Sequence, residues 1–138
     1  MNDEVPQDPE LPVDSYEAVG GTEHFISIED FDRDLLVGFC RLREPGDPIR
    51  RELQDAAIIR ELHVYGNELG IGDPGDTDAE AAGYQHQGHG RRLVERAESI
   101  ARDRGYSKLA VIAGIGAREY YREQLGYRQD GPYVAKRL

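Results

Sequence analysis

Apolar and polar positions alternate over residues 24–29 (HFISIE) and again over residues 35–43 (LLVGFCRLR), with the polar FDRD between them. This period of two predicts two strands of an antiparallel hairpin, with residues 31–34 as the turn. Residues 57–65 (AIIRELHVY) predict a third strand, longer and more buried. The period then changes. Leu93, Val94, Ala97, Ile100 and Ala101 fall at i, i+1, i+4, i+7 and i+8, the stripe of an amphipathic helix over residues 89–104 that Gly105 ends. Arg102 and Arg104 suit the negative end of its dipole. Residues 109–113 (LAVIA) predict a short buried strand, and Ala117, Tyr121 and Leu125 at i, i+4, i+8 a second helix closed by Gly126. Residues 127–128 and 133–136, around Gly131-Pro132, predict two final short strands. The order is strand, strand, strand, helix, strand, helix, strand, strand. It implies an α/β fold with a mixed, mostly antiparallel sheet flanked by helices.

Two stretches carry no such period. Residues 1–13 hold four acids and three prolines and read as an acidic tail or linker, so that one domain spans residues 14–138. Residues 66–84 carry five acids and no Lys or Arg and read as a loop. Within it, residues 70–75 match G-x-G-x-x-G literally, yet Asp73 and Asp76 stand where a pyrophosphate would dock, which argues against a dinucleotide site.

The chain has 138 residues and a formal net charge of −10. That sign excludes a generally basic nucleic-acid binder. The charge is uneven: residues 1–82 carry 6 Arg against 21 acids, residues 83–138 carry 11 bases against 6 acids. An anion-binding face is therefore expected in the C-terminal half. Only 2 of the 17 basic residues are lysine, and this acidic, lysine-poor balance resembles halophile proteins, whose folds lose stability as salt is withdrawn. No apolar run reaches the about 18 residues of a membrane span. The N-terminus lacks the apolar core of a secretory signal, so a cytoplasmic location is expected. The single cysteine, Cys40, excludes an intrachain disulfide, a four-cysteine zinc site and a three-cysteine iron–sulfur site; in its apolar run it reads as an inert buried thiol.

The chemistry concentrates in residues 85–92 (QHQGHGRR). Gly88 and Gly90 stand at the first turn of a helix that follows a loop. Without side chains they let an anion approach the outward N–H groups, and Arg91 and Arg92 add positive charge. The P-loop pattern with its lysine is absent, so nucleotide hydrolysis is not indicated. His86 and His89 have the spacing of a metal pair but no third ligand, and no metal site is expected. The run matches the (Gln/Arg)-x-x-Gly-x-(Gly/Ala) motif of the GNAT acetyltransferases.

Four ordered stretches narrow the likeness: residues 60–66 (RELHVYG), 85–90 (QHQGHG), Tyr120-Tyr121-Arg122 with Leu125-Gly126-Tyr127, and Gly131-Pro132-Tyr133 with Lys136. Together with Gly20-Gly21-Thr22-Glu23, they resemble the C-terminal acetyltransferase-like domain of the Elongator catalytic subunit and its tRNA uridine(34) acetyltransferase relatives, over residues 14–138. The resemblance implies a GNAT fold that binds acetyl-CoA. It implies work beside a radical-SAM domain or subunit to build the carboxymethyl group on wobble uridine 34 of tRNA. It places Glu61, Leu62, His63 and Val64 along the pantetheine arm; Gln87, Gly88, His89, Gly90 and Arg91 at the pyrophosphate; and Tyr121 near the sulfur.

Tyr121 shares an inward period with Ala117 and Leu125, and a phenol with pKa near ~10 is protonated and able to donate to a departing thiolate. A core aromatic is the alternative. Tyr120, about 100° further round the helix, is the second candidate. Glu61 as a base for an amine competes with a paired surface carboxylate, and His63 reads as a packed histidine. This polypeptide has no three-cysteine motif for the radical-SAM step. It is therefore expected to be a split or excised domain with a separate partner, or a free-standing N-acetyltransferase for a protein lysine or small amine. A third possibility is a non-catalytic acyl-CoA-binding module.

Overall fold

The computed structural model describes residues 10–46, 50–65, 88–112 and 115–138. Seven strands form one sheet: β1 Val13–Ala18, β2 Gly21–Asp30, β3 Leu35–Pro45, β4 Ala56–Val64, β5 Lys108–Val111, β6 Arg128–Asp130 and β7 Tyr133–Arg137. Their spatial order is β1-β2-β3-β4-β5-β7-β6. Every neighbouring pair is antiparallel except β4 and β5, which run parallel. Two helices, α1 His89–Asp103 and α2 Ile115–Gln124, make the crossover into β5 and lead into β6. The expected turn at residues 31–34 contains a single 3-10 turn, Phe31–Arg33.

β1 has no counterpart in the hydrophobic pattern. Four of its six residues are exposed, so it shows no apolar face and is held by its ladder to β2. Residues 10–12, read from sequence as tail, also lie along β2: Glu10 and Glu29 exchange both main-chain hydrogen bonds, at 2.7 and 2.9 Å, and Ser27 N–H donates to the Pro12 carbonyl.

Directly opposed residues share a face of the sheet. Ile26, Cys40 and Leu62 line up on one face, as do Leu42, Ile59, Val111 and Val134. These pack with Leu93, Val94 and Ala97 of α1, Ala117 and Tyr121 of α2, and Leu125 just after it, in one buried cluster. Each buried Leu, Val or Ile contributes about 1.5–3 kcal/mol, which fixes both helices on this face. Cys40 is fully buried there. α1 closes as the sequence expects: Gly105 takes φ +93°, Tyr106 N–H reaches the Ala101 carbonyl and Gly105 N–H that of Arg102. The opposite face carries Phe25, Arg41 and Glu61 in one row and Ile58, Ala110, Ala135 and Arg128 in another. Among the described residues no helix covers it.

Arg104 does more than complement the helix dipole. Its Nε lies 2.7 Å from Glu44 of β3, which also meets buried His24 Nε2 at 2.6 Å and accepts from Tyr106 Oη at 3.2 Å. His24 Nδ1 faces Ser15 Oγ at 2.7 Å, so the group ties β1, β2 and β3 to the end of α1. Burial pushes the Glu44 carboxyl up, but the hydrogen bonds from His24 and Arg104, the Arg104 charge and Tyr106 outweigh it and hold its pKa below the ordinary value. A depressed carboxylate stabilises the fold above its unfolded pKa of about 4.3, and that contribution fades as pH falls through the lower folded value. Glu44→Gln is therefore expected to flatten the acid limb of stability against pH, read by urea unfolding between neutral pH and pH 3. An acid limb as steep as that of the wild type would show that Glu44 does not contribute to it.

Candidate functional site at the end of strand β4

β5 pairs along its whole length with only the first part of β4. Ala56 to Ile59 lie opposite Lys108 to Val111, and the last bond runs from Ile112 N–H to the Ile59 carbonyl at 3.0 Å. β4 continues to Val64 against β3, with the register stepping at Arg60, so that Arg41 opposes Glu61 while Leu42 opposes Ile59. The extra residue bends the strand. From Glu61 onward, the edge of β4 that faced β5 has no strand partner among the described residues. This opening is a cleft whose wall is backbone.

Side chains on this stretch divide cleanly. Leu62 and Val64 are 1% exposed and belong to the core. Glu61 and His63 stand on the other face: the Glu61 carboxylate lies 2.9 Å from Arg41 Nε and 3.3 Å from His63 Nε2, and the His63 ring packs 5.2 Å from Phe39. Glu61 is thus a paired carboxylate. What the four residues offer the cleft in common is their main chain.

The start of α1 lies beside that end of β4. Gly88 is the N-cap, at φ +74° and ψ 21°, and its missing Cβ would meet nothing within 4 Å. A left-handed residue costs about 1–2 kcal/mol with an ordinary side chain, so backbone shape requires this glycine while the space outside it is open. Arg92 N–H makes the bond back to the Gly88 carbonyl at 3.0 Å. The N–H groups of residues 89–91 precede it and point out of the positive end of the helix. Gly90 has a different reason. A Cβ there would lie 2.7 Å from Tyr120 Oη and 3.8 Å from Val64 Cγ2. This glycine faces inward and lets α1, β4 and α2 converge. His89 is buried. The Arg91 guanidinium donates to the Gln124 carbonyl at 2.6 Å and lies 4.0 Å from Glu95, so its side chain braces the start of α1 to the end of α2. Gln87, with Gln85 and His86, lies outside the described residues, as do residues 66–84.

Both tyrosines are buried, Tyr121 at 1% and Tyr120 at 5% exposure. Their rings meet edge to face at 5.5 Å, and Tyr121 meets Tyr127 in the same way. Tyr121 is thus sandwiched in the core, while the Tyr120 hydroxyl abuts Gly90 at the mouth of the helix. Behind them, Tyr127 donates to buried Glu98 at 2.7 Å, with Lys136 Nζ 3.4 Å from the same oxygen. Burial, then the Glu98 carboxylate, push the Tyr127 phenol far above its ordinary range, so it stays a donor.

The sequence reading had no role for Glu98, Lys136 or Gly38. The signal for Gly38 was present, an isolated glycine inside an apolar strand: its Cβ would lie 2.7 Å from the His63 carbonyl and 3.4 Å from Leu93. It lets α1 settle onto β3 where β4 ends. Among the described residues no group of three or more His, Cys, Asp or Glu is placed to hold a metal ion, and no helix is long and apolar enough to cross a membrane.

An open strand edge beside a helix N-terminus is suited to a ligand that is amide-bearing at one end and anionic at the other, since an extended amide chain pairs with the edge and a phosphate takes the N–H groups. Comparison with known proteins agrees with that chemistry. A family model described as "Acetyltransferase (GNAT) family" matches residues 2–127. The chain is 44% identical over 135 residues to the tRNA uridine(34) acetyltransferase of Methanocaldococcus infernus, covering 96% of this chain and 24% of that protein. It is 48% identical to Elongator complex protein 3 of Dictyostelium discoideum, covering 96% and 23%. The structure of Methanocaldococcus infernus Elp3 lacking its first 46 residues superposes with a TM-score of 0.76 at 40% identity, covering 94% of this chain and 30% of that one. The chain spans about a quarter of the length of the curated relatives it matches.

Proposed function

The chain belongs to the acetyltransferase (GNAT) family, and on that premise we propose that it is the acetyl-CoA-binding domain of an enzyme modifying wobble uridine 34 of tRNA. The observation that carries the cofactor half is the edge of β4 that has no strand partner among the described residues and ends beside the Gly88 N-cap of α1. In this reading the pantetheine amides pair with the main chain of Glu61, Leu62, His63 and Val64. The diphosphate sits on the N–H groups of residues 89–91, with Gln87 and Gly88 at its rim. The bound coenzyme supplies an acyl thioester. The protein holds it extended, shields it with Leu62 and Val64 below, and offers a phenol from the Tyr120–Tyr121 pair to protonate the thiolate that leaves.

The tRNA half of the reading is supported by the identity to tRNA uridine(34) acetyltransferases and Elongator proteins. Those relatives are about four times longer, and we place the radical-SAM chemistry of the carboxymethylation on a separate domain or subunit. A cytoplasmic setting and adaptation to high salt, from the lysine-poor acidic composition, complete the proposal. The competing reading, a free-standing N-acetyltransferase, needs a base for the incoming amine, and Glu61 held by Arg41 and His63 is poorly disposed for it.

Thiol release from acetyl-CoA separates these readings. The expected result is release only when tRNA and the radical-SAM portion are both present, and none with a panel of protein lysines and small amines. Fast turnover on an amine without tRNA would install the competing reading, and tight binding without cleavage under any condition would leave a non-catalytic module.

A further inference from the structure

The sheet face without helices changes character toward its β6 end. Arg128 of β6, Arg137 of β7 and Lys108 of β5 share that face, because Lys108 opposes Arg137 and Arg128 opposes Ala135, two residues away on the same side. Diagonal neighbours of this kind stand about 7 Å apart. The 3-10 turn Arg51–Leu53 closes the edge, with the Arg50 guanidinium 5.9 Å over the half-buried Tyr133 ring. Two open depressions meet at Lys108 and Asp130, one running to Arg50 and Arg51 and the other to Arg128 and Arg137.

Five cations and two carboxylates face this surface in a chain whose net charge is −10. Both carboxylates are already engaged, Asp130 by Lys108 and Glu52 by Arg50. Arg51, Arg128 and Arg137 are exposed and have no carboxylate in ion-pair range among the described residues. Like charges set directly opposite, as Lys108 and Arg137 are, cost stability. An anion bound on this face would relieve that repulsion. Ala56, Ala110 and Ala135 are buried beneath Leu53 and Tyr133, so the charged side chains stand around a filled apolar floor.

We propose that this face docks the phosphodiester backbone of an RNA strand, with Arg51, Arg128 and Arg137 on successive phosphates and Arg50–Tyr133 at the rim. The proposal rests on the tRNA reading above and names where on the domain the tRNA is held. It is separate from the coenzyme cleft, which is built from β4, α1 and α2 and shares no residue with it.

The test is fluorescence anisotropy of a tRNA transcript bearing U34 at several salt concentrations, with acetyl-CoA titrated in parallel. Arg51→Ala/Arg128→Ala/Arg137→Ala is expected to weaken tRNA binding by roughly tenfold or more. It should also flatten the slope of log affinity against log salt by about 2. Acetyl-CoA affinity should stay unchanged, and the melting temperature should stay level or rise as repulsion is relieved. The variant with Lys at the same three positions should recover most of the binding, and Arg96→Ala/Arg122→Ala on the helices should lose much less. Wild-type affinity and slope in the triple alanine variant would overturn the surface while leaving the tRNA reading standing. No tRNA binding by the wild type would overturn both. Equal competition by poly-L-glutamate at matched charge would overturn the RNA assignment in favour of an acidic protein.

Discussion

Gly90→Ala is expected to destabilise the fold by about 1–3 kcal/mol in the wild-type chain, and to be neutral or stabilising once Tyr120 is Phe. The reversal follows from one atom. The new Cβ would lie 2.7 Å from Tyr120 Oη but 3.5 Å from the ring carbon that bears it. Removing the hydroxyl turns a clash into ordinary contact. What remains is the helix preference for alanine over glycine, about 1 kcal/mol. A double-mutant cycle read by chemical denaturation measures the coupling. Additive effects of the two changes would mean that Gly90 is there for some reason other than the phenol. The same cycle tests the convergence of β4, α1 and α2 at one point, on which the site depends.

Phenylalanine at 120 and at 121 should differ in their effect on turnover. A general acid contributes about 10²–10⁴-fold. The sequence period favours Tyr121. In the structure the Tyr120 hydroxyl is the one beside Gly90, while Tyr121 lies between the rings of Tyr120 and Tyr127. Tyr120→Phe is therefore expected to cut thiol release about 100-fold or more with acetyl-CoA affinity retained. Tyr121→Phe should act within about tenfold and mainly through stability. Single-turnover rates beside calorimetric affinities separate these outcomes. The reverse ranking would return the proton to Tyr121, and full activity in both variants would remove phenol catalysis altogether.

How far the chain can be read in advance depends on whether a segment buries a face. β2, β3, β4, β5, β7 and both helices bury one, and their periods locate them to within a few residues. β1 does not: an edge strand held by backbone pairing, with most side chains in water, leaves no hydrophobic trace, and its acids and prolines upstream read as tail. The extra residue at Arg60 is equally silent, because a bulge changes register without changing residue type. At the site, the place of Gly88 just before a helix was visible in the sequence. Gly90 looked identical in sequence, yet it is fixed by the tyrosine it touches, a contact made across about 30 residues of chain. The ion pairs of Glu61 with Arg41 and of Glu98 with Lys136 are likewise products of pairing and packing, which no local pattern encodes.

On the proposed reading, the edge of β4 beyond its pairing with β5 and the start of α1 together hold the coenzyme by main-chain groups. A crystal soaked in acetyl-CoA tests it most directly. The pantetheine amides are expected to be hydrogen-bonded along the edge of residues 61–64, and the diphosphate within hydrogen-bonding distance of the N–H groups of residues 89–91. Coenzyme density on any other surface, with that strand edge and helix end left untouched, would contradict it.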